Sequence, residues 1–125
     1  MAVLKGEGRV SILFGSWALP VPPNRSAYIA RPDESGTHPT VVVAHDESGI
    51  TPGVKAIARH LARYGYSVIV PDLSRGQQAA DGFEWVVSDV ADAVDSTRIP
   101  GVEWASDVQL MVLGIGTGAV PAAIV

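Results

Sequence analysis

Residues Thr40–Leu73 read TVVVAHDESGITPGVKAIARHLARYGYSVIVPDL, and the order of the parts in this stretch decides the fold. Thr40–Ala44 is a continuous apolar run rather than an alternating one, as expected of a strand covered on both faces of a sheet. Thr51 is placed to cap a helix with Pro52 at its first position, where a missing N–H costs nothing. Gly65 supplies the positive φ that closes a helix C-terminus. Between them Val54, Ile57, Ala58 and Leu61 recur at helical spacing as one buried stripe, leaving Lys55, Arg59 and Arg63 for water. Tyr66–Leu73 then returns as another buried strand. Strand, helix, strand in this order is a right-handed βαβ unit, which makes its two strands parallel.

Working outward, Val10–Phe14 and Ala27–Ala30 read as an early antiparallel pair of strands. The stretch between them, GSWALPVPPNRS, holds three prolines and is expected to be a loop. Downstream, Asp81 followed by Glu84 has the form of a capping box, and Phe83, Val86, Val87, Val90 and Val94 make the apolar stripe of a second helix opposite Glu84, Asp92 and Asp95. Val108–Leu113, VQLMVL, reads as a third buried strand, after which the chain turns into a last helix. The expectation is an α/β fold: a mostly parallel five-strand sheet flanked by helices, in one domain over residues 1–125. In such sheets ligands collect at the carboxyl ends of the strands. The loops there are HDESGITP, PDLSRGQQ and GIGTG.

Composition narrows the function classes. With 125 residues, 47% of them hydrophobic, the chain has enough apolar content for a buried core. A formal charge of −4 without a run of Lys or Arg argues against nucleic acid and anionic membrane surfaces as partners. There is no cysteine, so disulfides, thiolate metal sites and a cysteine nucleophile are excluded together. The start MAVLKGEGRV lacks the apolar core of a signal peptide, and a cytoplasmic location is expected. The uncharged stretch Val108–Val125 is interrupted by Gly114, Gly116, Gly118 and Pro121 and does not read as a membrane span. His45, Asp46 and Glu47 diverge as consecutive residues leaving a strand, so neither metal nor cofactor is implied. His38 in a Gly/Pro loop and His60 on the first helix read as surface residues, Trp17 and Trp104 as loop residues, and Trp85 as a surface anchor on the second helix.

Together YIARP (28–32), VVVAHDESGITPGVKAIARHLARYGYSVIVPDLSRG (41–76) and VLGIGTGA (112–119) resemble the dienelactone hydrolase family of α/β-hydrolases. The resemblance runs from about Tyr28 to Gly118 and implies the N-terminal half of an α/β-hydrolase fold and an ester- or lactone-hydrolysing ancestry. In that family the third of these buried strands ends in a nucleophile elbow, small-x-nucleophile-x-small, with cysteine or serine at its centre. Here the elbow is Gly114-Ile115-Gly116-Thr117-Gly118, and Gly116 stands at the nucleophile position. By the same resemblance Asp46 matches the acid that contacts the resting nucleophile, and the backbone N–H groups of Glu47 and Thr117 match the oxyanion-hole donors. Arg75, in a stretch one residue shorter, resembles the arginine that holds a substrate carboxylate in some relatives. The family's remaining triad acid and its histidine are expected beyond residue 125, which makes residues 1–125 a truncated α/β-hydrolase-like domain.

A general base needs a hydroxyl or thiol to activate, and a glycine has neither. Thr117 falls in the first turn of the following helix and reads as a capping residue. The expected function is therefore a half-domain, non-catalytic alone, that binds a small ligand through Asp46, Glu47, Arg75, Gly116 and Thr117, or a partner chain. The partner, a second copy or another polypeptide, would pair with the open strand edge Val108–Leu113. The alternative is a lactone or ester hydrolase completed by a second polypeptide. A third reading is a dinucleotide-binding module, since Gly114-x-Gly116-x-x-Ala119 follows a strand. That fingerprint needs an acidic residue about twenty positions on, and only six residues follow Ala119.

Overall fold

The computed structural model describes residues 10–45, 49–73 and 83–115, with 83–88 as backbone alone. The central βαβ unit is β3 (His38–Ala44), α1 (Pro52–Arg63) and β4 (Ser67–Pro71), with β3 and β4 parallel. The Thr51 hydroxyl caps α1 by accepting the Val54 N–H at 3.2 Å. At the other end Gly65, with φ +99°, donates to the Ala62 carbonyl and Tyr66 donates to the Leu61 carbonyl. This pair of bonds is a Schellman closure, and Leu61 and Tyr66 supply its hydrophobic contact within one core cluster.

Upstream lie β1 (Ile12–Ala18) and β2 (Ser26–Pro32); downstream lie α2 (Phe83–Ser96) and β5 (Ala105–Gly114). The strand order is β1-β2-β4-β3-β5. The β3/β4 and β3/β5 neighbours are parallel, whereas β1/β2 and β2/β4 are antiparallel. The expected five-strand α/β sheet flanked by helices is thus present, with the early antiparallel pair expected from the sequence, and it is mixed because β2 also meets β4 antiparallel. β1 and β2 are joined by a loop without the crossover helix that parallel neighbours require.

Each face of the sheet carries its own core. On one, Val41, Val43, Val68 and Val70 pack against Val54, Ala58 and Ala62 of α1; on the other, Val42, Ala44 and Ile69 pack against Val90 and Ala93 of α2. The valine runs of β3 and β4 are continuous because successive residues fill opposite cores.

Several expectations need correction. The buried stripe of α1 is Val54, Ala58 and Ala62 with Leu61 partly buried, while Ile57 is 41% exposed. Lys55 and Arg59 are half-buried rather than free in water: Lys55 lies over the Tyr28 ring and Arg59 over the Phe14 ring, each at 5.5 Å. Packing over β2 and β4 turns the helix so that these aliphatic stems cover aromatic surface.

β5 is not buried on both faces, since Val108 is 87% and Met111 58% exposed; with β1 it is one of the two outer strands of the described sheet. Trp17 belongs to β1, half-buried edge-to-face against Trp104 at 5.2 Å, because β1 runs on to Ala18. His38 opens β3 and is half-buried rather than a surface loop residue. Tyr66 precedes β4 rather than starting it. On α2, Val90 is buried and Val94 partly so, but Ala93, Asp89 and Ser96 are buried with them. Asp81, the side chains of Phe83, Glu84, Trp85, Val86 and Val87, and the last helix lie outside the described residues.

Candidate functional site

β4, β3 and β5 are adjacent in the sheet and parallel, so Pro71, Ala44 and Gly114 end at one edge. The three loops singled out in the sequence leave from this edge. The pairing of β3 with β5 continues to its limit: Ala44 faces Gly114, and the Ile115 N–H donates to the Ala44 carbonyl at 2.9 Å. The elbow sequence therefore begins directly beside the point where His45 leads out of β3.

The β4 side is tied in by two bonds. The Asp72 N–H donates to the Ser26 carbonyl at 2.9 Å, which holds the exit of β4 against the start of β2. The Leu73 N–H donates to Nε2 of His45, also at 2.9 Å, in a buried position. In this bond the His45 ring nitrogen is the acceptor, which ties the exit of β3 to the residue that follows β4. Asp72 Oδ1 lies 4.0 Å from the same nitrogen, at the outer limit of an ion pair.

All five candidate ligand-binding residues, Asp46, Glu47, Arg75, Gly116 and Thr117, lie outside the described residues. The structure places the strand ends from which they follow and brings those ends together. Among the described residues, no group of three or more His, Cys, Asp or Glu is placed to hold a metal ion, and no helix is long and apolar enough to cross a membrane. A shallow groove lined by Thr37, Arg98, Glu103, Ser106 and Asp107 opens at the amino ends of β3 and β5, the far side of the sheet from these loops.

Two groups near the edge were not found from the sequence. His45 was weighed only as a metal ligand, and its bond to Leu73 spans 28 positions, which no local pattern reports. Asp89 is fully buried on α2, with Oδ1 3.0 Å from Arg25 Nε in the loop before β2. A signal for it existed: Asp89 stands three residues after Val86 and four before Ala93, on the apolar side of the helix.

Known proteins give the same assignment. The family model of the dienelactone hydrolase family matches residues 26–108. A protein of Methylorubrum extorquens assigned as a carboxymethylenebutenolidase is 30% identical over 96 residues, covering 74% of this chain and 31% of that protein. A hydrolase fragment of Escherichia coli is 39% identical over 46 residues, covering 36% of this chain and 39% of that one. Among solved structures, the dienelactone hydrolase of Anabaena variabilis superposes with a TM-score of 0.70 at 18% identity, over 89% of this chain and 55% of that one. A protein of Klebsiella pneumoniae assigned as a dienelactone hydrolase gives 0.68 at 22% identity, over 84% and 50%. The chain thus spans about a third of its Methylorubrum relative and about half of these structures. The family-model match over residues 26–108, together with a sheet that superposes on these hydrolases, shows that the chain belongs to the dienelactone hydrolase family.

Proposed function

We propose that this chain is a dienelactone hydrolase-like half-domain that does not itself hydrolyse esters or lactones, and that its carboxyl edge and outer strand serve binding. Gly116 carries this reading. The covalent mechanism implied by the family needs a hydroxyl or thiol at the elbow, with a base in hydrogen-bond reach, and glycine offers nothing to activate. The backbone donors matched to Glu47 and Thr117 are independent of side-chain identity. An elbow without a nucleophile would keep a place for a carbonyl or anionic oxygen while losing turnover. A small ligand fits an acidic chain that has no run of Lys or Arg, and Asp46 and Arg75 are the side chains the family resemblance offers it.

A second reading, in which another polypeptide completes a lactone or ester hydrolase, is favoured by the exposed apolar residues of β5, Val108 and Met111. Activated esters such as p-nitrophenyl acetate distinguish the two. The purified chain is expected to give neither burst nor turnover above buffer. Turnover that disappears in Thr117→Ala or Asp46→Ala would overturn the non-catalytic reading, and turnover appearing only on addition of a second protein would establish the alternative.

A further inference from the structure

The outer edge of β1 and the cationic flank of α1 lie side by side. The Leu19 N–H donates to the Arg25 carbonyl and the Asp33 N–H to the Ser11 carbonyl, so in the unbroken β1/β2 register the odd-numbered residues of β1 bond to β2. The backbone N–H and C=O groups of Ile12, Phe14 and Ser16 therefore point outward, where no strand of the described residues pairs with them. On the face that carries these three side chains, α1 runs alongside the strand. The Val10 N–H donates to the Arg63 carbonyl, Arg59 lies over the Phe14 ring, and Lys55 lies over the ring of Tyr28, which pairs with Ser16. Arg63, Arg59 and Lys55 thus follow β1 from its start to its middle. α1 has no acidic residue, and among the described residues none of the three cations forms an ion pair. We propose that this edge takes an extended acidic peptide of a partner protein as an added strand, its carboxylates facing Lys55, Arg59 and Arg63.

Two repeats match. Side chains four positions apart on a helix are spaced about 6 Å along its axis. Alternate side chains of a strand, which share one face, are spaced about 6.7 Å. A strand paired with β1 in either direction therefore presents one side chain on the α1 face for each cation. Its intervening side chains fall on the other face, beside Leu13, which is 43% exposed, and the half-buried Trp17. The peptide that fits alternates acidic with apolar residues: main-chain bonds to the edge give affinity and the charges select the sequence. A second copy of β1 is the wrong occupant, because a twofold axis would lay two rows of cations together on one face of the joined sheet. Nucleic acid has the right charge but no backbone that pairs with the outward groups of β1. This surface shares no residue with the carboxyl-edge loops, so it stands apart from Gly116 and the proposed function.

The acetylated and amidated hexapeptide Glu-Val-Glu-Val-Glu-Val, titrated into the 15N-labelled full chain at low ionic strength, tests this. Binding should slow hydrogen exchange at the outward amides of Ile12, Phe14 and Ser16 and leave Leu13 and Gly15, already bonded to β2, unchanged. Added salt should weaken it. The same residues in the order Glu-Glu-Glu-Val-Val-Val, and the alternating peptide with Lys in place of Glu, should each bind roughly tenfold more weakly. Lys55→Gln combined with Arg63→Gln should weaken the alternating acidic peptide roughly fivefold. Ser16→Pro removes an outward N–H at an exposed position and should abolish binding. If Ser16→Pro does not fold, the double Gln variant and the reordered peptide decide. Equal binding of the reordered peptide or of single-stranded oligothymidylate would overturn the proposal. So would unchanged β1 amides at millimolar peptide, or Ile12, Phe14 and Ser16 amides already protected in the free chain, which would show that this edge is covered.

Discussion

Asp89 is an acidic residue removed from water: its side chain is fully buried, and its carboxylate is 3.0 Å from Arg25 Nε. The Arg25 N–H is close to the carboxylate without the alignment of a hydrogen bond, so the contact is an ion pair held by charge rather than by direction. Removing the cation leaves a carboxylate in low dielectric without this counter-charge, whereas neutralising the acid removes the charge itself. Arg25→Ala is expected to lower unfolding free energy by about 3 kcal/mol, and Asp89→Asn by clearly less. Urea titrations of the two variants check the order. A loss below about 0.5 kcal/mol for Arg25→Ala would mean that the pair behaves as a surface ion pair despite its burial. Arg25 in a proline-rich loop and Asp89 on a helix 64 positions later gave no pattern in the sequence that would join them. Gly116, by contrast, is singled out in the sequence by its place within a five-residue motif, and it lies outside the described residues.

At the scale of elements, what was readable is what local chemistry decides. Thr51, Pro52 and Gly65 fixed both ends of α1 in advance, because caps are made within a few residues of the positions they serve. Thr51→Ala should cost about 1 kcal/mol. Gly65→Ala should cost roughly 1–2 kcal/mol through its φ of +99°, since no neighbouring atom crowds an added Cβ. Thermal or urea unfolding of each variant gives the comparison, and a neutral Gly65→Ala would show that the Schellman closure carries no strain for a side chain. The face of α1 was less legible. Val54, Ala58 and Ala62 define the buried line, and on a 100° wheel Ile57 falls on one flank of it with Lys55 and Arg59 on the other. Which flank is covered depends on where the neighbouring strands lie: β2 with Tyr28 and β1 with Phe14 sit under the cationic flank. The same limit applied to β5. Its run of apolar residues reports a demand for cover, not the presence of it. At its start Ser106 Oγ accepts the N–H groups of Val108 and Gln109, and the pairing with β3 shifts between His38 and Thr40. This irregularity turns Val108 out of the sheet, a device common at edges.

For the whole molecule, the two outer strands of the described sheet differ in how they are protected. β1 exposes Leu13 at 43% and Phe14 at 58%, but Arg59 lies over the Phe14 ring and places a charge at that edge. β5 has its irregularity near Ser106 and then Leu110–Gly114 without a charged residue. An unpaired apolar edge is a template for another strand, and edges that stay monomeric usually carry charge, proline or a covering segment. The occupant proposed for it is a second copy of this chain. A twofold axis would set the two β5 strands antiparallel, bringing apolar residues together near Leu110 and Met111 and leaving Asp107 toward the far end, away from its own counterpart. At micromolar concentration, light scattering coupled to gel filtration should then report a dimer. Leu110→Lys and Met111→Lys place like charges across the seam and should shift the species to monomer. Far-UV circular dichroism should change little, because Met111 is already 58% exposed and Leu110 is only partly buried. Amides of Leu110–Leu113 that point away from β3 should exchange slowly in the wild type and freely in both variants. A well-folded wild-type monomer in which those amides exchange freely would show that this edge stands without a partner, and the binding role proposed for it would fall with that result.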